Sequence, residues 1–329
     1  MHKSLAILVV LMFVFPGCLD DETDNLDVTD DSKALDLAEE AEELGSIEIP
    51  YEEGCDNINP LHCMLPFPSS AFLRDDSTTA TGYRVNYTAT TVPGSGTFRQ
   101  VEVPGLNRLD GMSPSTQIMT AFEDDPVLAN VANQSTIEKS LLDGHPTVIL
   151  NLNTGKKVAH WAELDSRTDD KGPTILYIRT LKGLDHNTAY GIGIFGLTNT
   201  TGELISPSLA LKALIDGSNT DIPDVELRRG SFDNLFEKLE SLGYEKANLQ
   251  AAWEFHTAST ESIVGGMLHM REDALDRLGD GGIGCNVTST EDNYGGDNQT
   301  FRRIRGTITT PQYLLNPDEP PSLLSLIHI

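Results

Sequence analysis

Thr147-Val148-Ile149-Leu150-Asn151-Leu152, followed by Asn153-Thr154-Gly155-Lys156, is the stretch of this 329-residue chain from which the rest is best read. A short β-branched, apolar run that ends in Asn, Thr and Gly predicts a strand leading into a tight turn. Alternation resumes over residues 158–164. Thr174-Ile175-Leu176-Tyr177-Ile178-Arg179 and Ala189-Tyr190-Gly191-Ile192-Gly193-Ile194-Phe195 give two further strands. Thr198-Asn199-Thr200-Thr201-Gly202 predicts a second hairpin turn, before residues 203–206. Closely spaced strands joined by polar turns, with no helical period between them, predict an antiparallel sandwich rather than βαβ units.

Outward from this centre the period changes. Phe232, Leu235, Phe236, Leu239 and Leu242 recur at helical spacing, with Ser231 as N-cap and Gly243 as the stop. Residues 249–257 read as a strand. Ser259 or Thr260 then caps a second helix through Ile263, Met267, Met270, Ala274 and Leu278, closed by Gly279. Residues 279–299, rich in Gly, Asp and Asn, read as a loop, and residues 307–315 as a strand interrupted by Pro311. The expected class is mainly β with α+β additions.

Charge excludes several functions. Lys plus Arg number 23 against 50 Asp plus Glu, a net charge of -27. A phosphate-neutralising surface is basic, so nucleic acid is not the expected partner. At the N-terminus, Lys3 precedes an eleven-residue apolar run, residues 5–15, too short to span ~30 Å of hydrocarbon comfortably. It ends at Phe15-Pro16-Gly17-Cys18 and resembles a lipoprotein signal, which implies lipidation of Cys18, export, and a membrane contact made through that anchor. Residues 19–53 hold fifteen acidic side chains and one Lys, the composition of a solvated spacer.

In an exported chain spare thiols pair. Cys55 and Cys63 flank Asp56-Asn57-Ile58-Asn59-Pro60-Leu61-His62, whose turn formers bring the sulfurs together, so a disulfide is expected. A zinc site at Cys55, His62 and Cys63 is the rival, but its spacing matches no standard pattern. Cys285 is left over. Asn86, Asn133, Asn199, Asn286 and Asn298 open glycosylation sequons, and Asn199, in its hairpin turn, is expected to be solvent exposed.

Leu184 followed by Asp185-His186-Asn187-Thr188-Ala189-Tyr190 resembles the "Leu, turn, Tyr" approach to a strand in bacterial Ig-like domains. Five further stretches resemble one family. They are Cys55 with Cys63-Met64-Leu65-Pro66-Phe67-Pro68-Ser69, Leu106-Asn107-Arg108-Leu109-Asp110-Gly111-Met112-Ser113-Pro114, and His160-Trp161-Ala162-Glu163-Leu164-Asp165. Trp253-Glu254-Phe255-His256-Thr257-Ala258-Ser259 follows, and then residues 302–314 with Gly306-Thr307 and Pro311-Gln312-Tyr313-Leu314. In that order they resemble the N-terminal region of large extracellular bacterial lipases of the virulence-factor type, with His256 standing where a second Thr is expected. The resemblance implies an Ig-like sandwich preceding an α/β-hydrolase domain.

No G-x-S-x-G elbow, H-E-x-x-H, P-loop or dinucleotide-binding glycine pattern occurs. His256, Ser259 and Glu254 lie close in sequence, but strand alternation sends neighbours to opposite faces, so His256 reads as a core or edge-strand residue and Ser259 as a helix cap. Glu163 and Asp165 read as solvated charge. No catalytic, cofactor or metal residue is assigned. The organisation expected is a signal peptide (1–18), acidic linker (19–53), disulfide-containing region (54–143), Ig-like sandwich (144–215), helix-strand-helix region with its loop (216–300) and the start of a missing hydrolase domain (301–323). Residues 324–329 look like translated sequencing adapter on a truncated reading frame. Two functions remain open: the non-catalytic region of a surface-anchored lipase/esterase-like hydrolase, or a stand-alone binding lipoprotein with an Ig-like domain.

Overall fold

The computed structural model describes residues 49–92, 103–166, 172–296 and 299–314. Its organising strand is β8 (Ala189–Phe195), which pairs antiparallel with β4 (Thr147–Asn151) on one side and β9 (Leu249–His256) on the other. The short β5 (Lys156–Lys157) completes a sheet of order β5-β4-β8-β9. The β4–β5 turn forms because Asn151 Oδ1 accepts from the amides of Asn153 and Thr154, while Gly155 takes φ +69°. A second antiparallel sheet has the order β3-β7-β6, from β3 (Ile118–Ala121), β7 (Ile175–Thr180) and β6 (His160–Leu164). With hairpin β1–β2 (Leu73–Asp75, Tyr83–Val85) and hairpin β10–β11 (Cys285–Tyr294, Thr300–Ile308), the fold is mixed, with many antiparallel strands in several sheets and few helices.

β8 is buried on both faces, and its alternating sequence is the reason. Tyr190, Ile192 and Ile194 form one row; Ile192 lies between Ile149 and Trp253, and Tyr190 beside Phe255. Gly191 and Gly193 form the opposite row. A Cβ on Gly191 would stand 2.3 Å from Leu235 Cδ1, and one on Gly193 3.2 Å from Leu239 Cδ1. A helix therefore lies against backbone there, at a distance that only glycine permits.

Among the described residues four α-helices accompany the sheets: α1 (Val103–Leu106), α2 (Leu209–Asp216), α3 (Pro223–Glu240) and α4 (Gly266–Leu278). The one that covers the glycines is α3, through Phe232, Leu235, Phe236 and Leu239. It starts eight residues before the expected Ser231 cap. Pro223 presets φ at the first helical position, and Asp224 and Glu226 complement the helix dipole, so the chain is already helical when it reaches Ser231. The short α2, not anticipated from the sequence, is capped by Ser208, whose Oγ accepts from the Leu211 amide; Gly217 (φ +75°) ends it. Ser259 Oγ accepts from the Ser262 amide, as expected of a cap, at the start of the π-type turn (Glu261–Gly265) that continues into α4.

The C-terminal segment departs from the sequence expectation. Residues 285–294, expected as loop, are β10, and the expected strand at 307–315 ends at Ile308 because its pairing partner is Cys285, at the start of β10. Thr- and Asn-rich stretches without apolar alternation look like loop, yet here cross-strand pairing, with ion pairs Asp292–Arg302 (2.6 Å) and Glu291–Arg303 (2.8 Å), forms an exposed ribbon.

One buried core runs from Ile49 and Ile58 through Phe72, Ile118, Ile149, Leu176 and Ile192 to Trp253 and Phe255. Stretches distant in sequence meet on it. Trp253 Nε1 donates to the Pro68 carbonyl (2.9 Å), and the amides of Met112 and Ala258 reach the carbonyls of His256 and Met112 (both 2.8 Å). The glycine row is testable by one methyl group. Gly191→Ala forces Leu235 or the strand to move, an overpacking expected to cost about 1–3 kcal/mol. Urea unfolding should show a lower midpoint, and the added substitution Leu235→Ala should recover part of it. An unchanged midpoint for Gly191→Ala would mean that α3 does not lie on β8.

Candidate functional site

Cys55 and Cys63 form a disulfide, with Cα atoms 4.4 Å apart. Glu52, Cys55 and Cys63 place potential donor atoms within 4.8 Å of one another, but both sulfurs are consumed in the bond and offer no thiolate to a metal. Cys285 is free and exposed.

The disulfide loop presents a carboxylate to the interior. The Asp56 amide donates to the Cys63 carbonyl (3.0 Å), and Asp56 Oδ1 accepts from the Ile58 amide (3.1 Å), which turns the side chain inward to 1% exposure. There Asp56 Oδ1 meets Arg228 Nη1 of α3 at 2.8 Å, and its other oxygen accepts from Ser69 Oγ. Arg228 Nη2 reaches the same Ser69 Oγ at 3.3 Å, and its guanidinium lies over the Phe232 ring. Alongside, Ser70 Oγ donates to Glu254 Oε2 of β9 (2.9 Å). Burial raises the Glu254 pKa, while Arg228 and the Ser70 hydroxyl lower it and Asp56 raises it. Two carboxylates, a guanidinium and two hydroxyls thus converge from residues 56, 69, 70, 228 and 254. The sequence carried no signal of this, because the partners lie far apart along the chain, 172 residues for Asp56 with Arg228 and 184 for Ser70 with Glu254. With Asp56 sealed from solvent, the cluster is a clamp between the disulfide loop and α3.

The imidazoles are likewise built in. His160 Nε2 lies 2.8 Å from Thr147 Oγ1, a hydroxyl–imidazole pair in form. Both residues are fully buried, and His160 Nδ1 faces the Val158 carbonyl (2.7 Å) instead of a carboxylate, so the pair lacks both substrate access and an acidic orienter. His145 rests edge-on to His160, its Nε2 accepting from the Ala132 amide (2.9 Å). Burial pulls both imidazole pKa values down, that of His160 to about 4. His256 Nδ1 contacts the Thr257 carbonyl (3.0 Å) and the ring packs by Tyr83. Glu163 pairs with Arg179 across β6–β7.

Of the sequon residues, Asn86, Asn133 and Asn286 are exposed. Asn199 is only half-buried: its Oδ1 accepts from the Thr201 and Glu203 amides, and its Nδ2 reaches Asp124 and Glu203 (both 3.4 Å), so the amide needed for glycosylation holds the turn together. Asn298 and Cys18 lie outside the described residues.

An apolar concavity among the described residues has a volume of about 310 Å³. Its walls come from Ile49 and Ile58, from Phe122 after β3, from Leu209 and Leu211 of α2, and from Trp253 of β9. Compared with family models and with curated proteins, the chain matches none.

Two outcomes follow. Arg228→Met leaves the Asp56 carboxylate buried without its cation, at an expected cost of about 3–5 kcal/mol in urea unfolding; adding Asp56→Asn should return most of it. Equal losses in the single and double variants would show that the clamp is not electrostatic. For His160 the folded pKa lies below the unfolded value of ~6.5, so its neutral form contributes stability above pH 6.5 that is lost as pH falls toward 4. Unfolding free energy should drop by roughly 3 kcal/mol more over that window in the wild type than in His160→Gln. Parallel pH profiles would exclude the buried neutral imidazole.

Proposed function

We propose that this chain is the non-catalytic N-terminal region of an exported serine hydrolase acting on carboxylic esters, held at the cell surface by lipid on Cys18 and built around an Ig-like sandwich. The observation that carries this reading is the strand order. The sheet β3-β7-β6 has the order of strands B, E and D of an Ig-like sandwich, and β5-β4-β8-β9 that of C′, C, F and G. At the start of β8, the F position, Tyr190 Oη accepts from the Asp185 amide (2.9 Å), the hydrogen bond of a tyrosine corner, and Leu184 is buried beside it. Helices α2 and α3 then occupy the F–G connection. Three of the stretches that carry the lipase resemblance, around residues 63–69, 106–114 and 253–259, pack on one another through the bonds of Pro68, Met112 and Ala258.

The reading assigns the ester chemistry to a downstream hydrolase domain. Acyl transfer requires an activated hydroxyl within reach of a base, and donors aimed at the developing oxyanion. The imidazoles of His160 and His256 face backbone carbonyls or a buried hydroxyl instead. Nitrophenyl esters of short and long acyl chains test the proposal on this chain beside a longer one that continues into the downstream reading frame. Turnover by the longer chain alone is expected, since loss of nucleophile and base costs about 10⁶ in rate. Turnover by the present chain that is blocked by a serine-directed inhibitor would overturn the assignment. A genuine stop codon near Ile329 in an independent genome assembly would favour the stand-alone binding lipoprotein.

A further inference from the structure

The cavity between β3, α2, β9 and the disulfide loop has walls that are chemically finished. Gln250 Oε1 accepts from the Leu197 amide (2.7 Å), and its Nε2 donates to the carbonyls of Leu197 (2.7 Å) and Ile205 (2.8 Å). Asn59 Nδ2 donates to Thr120 Oγ1 (3.1 Å) and the Ala121 carbonyl (2.9 Å), while its Oδ1 accepts from Leu61. Ser208 Oγ donates to the Ile58 carbonyl (2.6 Å) and accepts from Leu211, and Trp253 Nε1 is committed to Pro68. Prolines at 50, 60, 66 and 207 contribute wall without an N–H. A polar ligand entering this space would lose its water and find no partner in exchange, a net cost. An apolar one loses nothing by entering.

We propose that the cavity is a binding site for the unbranched aliphatic chain of a small amphiphile whose head is uncharged. Size sets the chain. An apolar cavity of ~150 Å³ accommodates a benzene ring, so about 310 Å³ accommodates roughly eight to ten carbons. Charge sets the head. The charged residue on the rim is Glu123, exposed and followed by Asp124 and Asp125, so a carboxylate emerging there meets like charge. A hydroxyl, in contrast, can donate to Glu123 and accept from Ser206, also exposed at the rim. The site concerns this region alone and does not depend on whether a hydrolase follows it.

The test uses the full chain carrying Trp161→Phe, which leaves Trp253, in the cavity wall, as the sole indole. Titration with 1-hexanol, 1-heptanol and 1-octanol should change its emission saturably and raise the melting temperature. Affinity should increase about fourfold per added methylene, the equivalent of ~0.8 kcal/mol. Octanoate should bind at least tenfold more weakly than octanol. Two substitutions place the site. Ala251→Leu fills the cavity. Leu209→Asp sets a second anion at the first position of α2, where it suits the helix dipole and Leu209 is already 52% exposed. Either should abolish the saturable signal, and the second should do so with the fold intact. Emission that drifts linearly without saturating, octanoate binding as well as octanol, or full binding by Leu209→Asp would each overturn the proposal.

Discussion

The constraint on which the structure depends is the double burial of β8. A strand covered on both faces ordinarily reads as a continuous apolar run, whereas β8 alternates large side chains with glycine. The row of Tyr190, Ile192 and Ile194 fills the core, and the row of Gly191 and Gly193 lets α3 lie almost against backbone. That close approach fixes the position of α3, and with it the place of Arg228. Since Arg228 holds Asp56, the disulfide loop is positioned at the end of the same chain of contacts.

A buried ion pair is weak evidence for net stability, since desolvation of both charges offsets most of their attraction. Its value here is specificity of placement. Asp56, Ser69 and Arg228 satisfy one another only when the loop, the segment after it and α3 are all seated. The disulfide shortens the loop, and the clamp orients it. Together they form the wall that, with α2 and β9, encloses the apolar cavity, in which Ile58 and Asn59 are loop residues and Trp253 a strand residue.

The same logic places the histidines. Thr147 belongs to one sheet and His160 to the other, so their bond crosses between sheets at a point sealed from water. A neutral imidazole can act there both as donor and as acceptor, which the charged form cannot. His145 and His160 are thus parts of the packed interior, and their lowered pKa values report burial and not a poised base.

What the sequence determined by itself was local. Alternation at 147–152, 174–179 and 189–195 specified strands, turn chemistry at 153–155 specified a hairpin, and two cysteines eight residues apart around turn formers specified a disulfide. Each signal lies within one element, where period and turn preference act. Tertiary structure decided what needed partners from elsewhere. Pro223 and the glycine row of β8 set where α3 begins and rests, against the nearer cap at Ser231. Cross-strand pairing turned a Gly- and Asn-rich stretch into β10. Neither the Asp56–Arg228 clamp nor the cavity has a sequence signature, because each is assembled from residues remote along the chain. Burial, not spacing, gives those residues their chemistry.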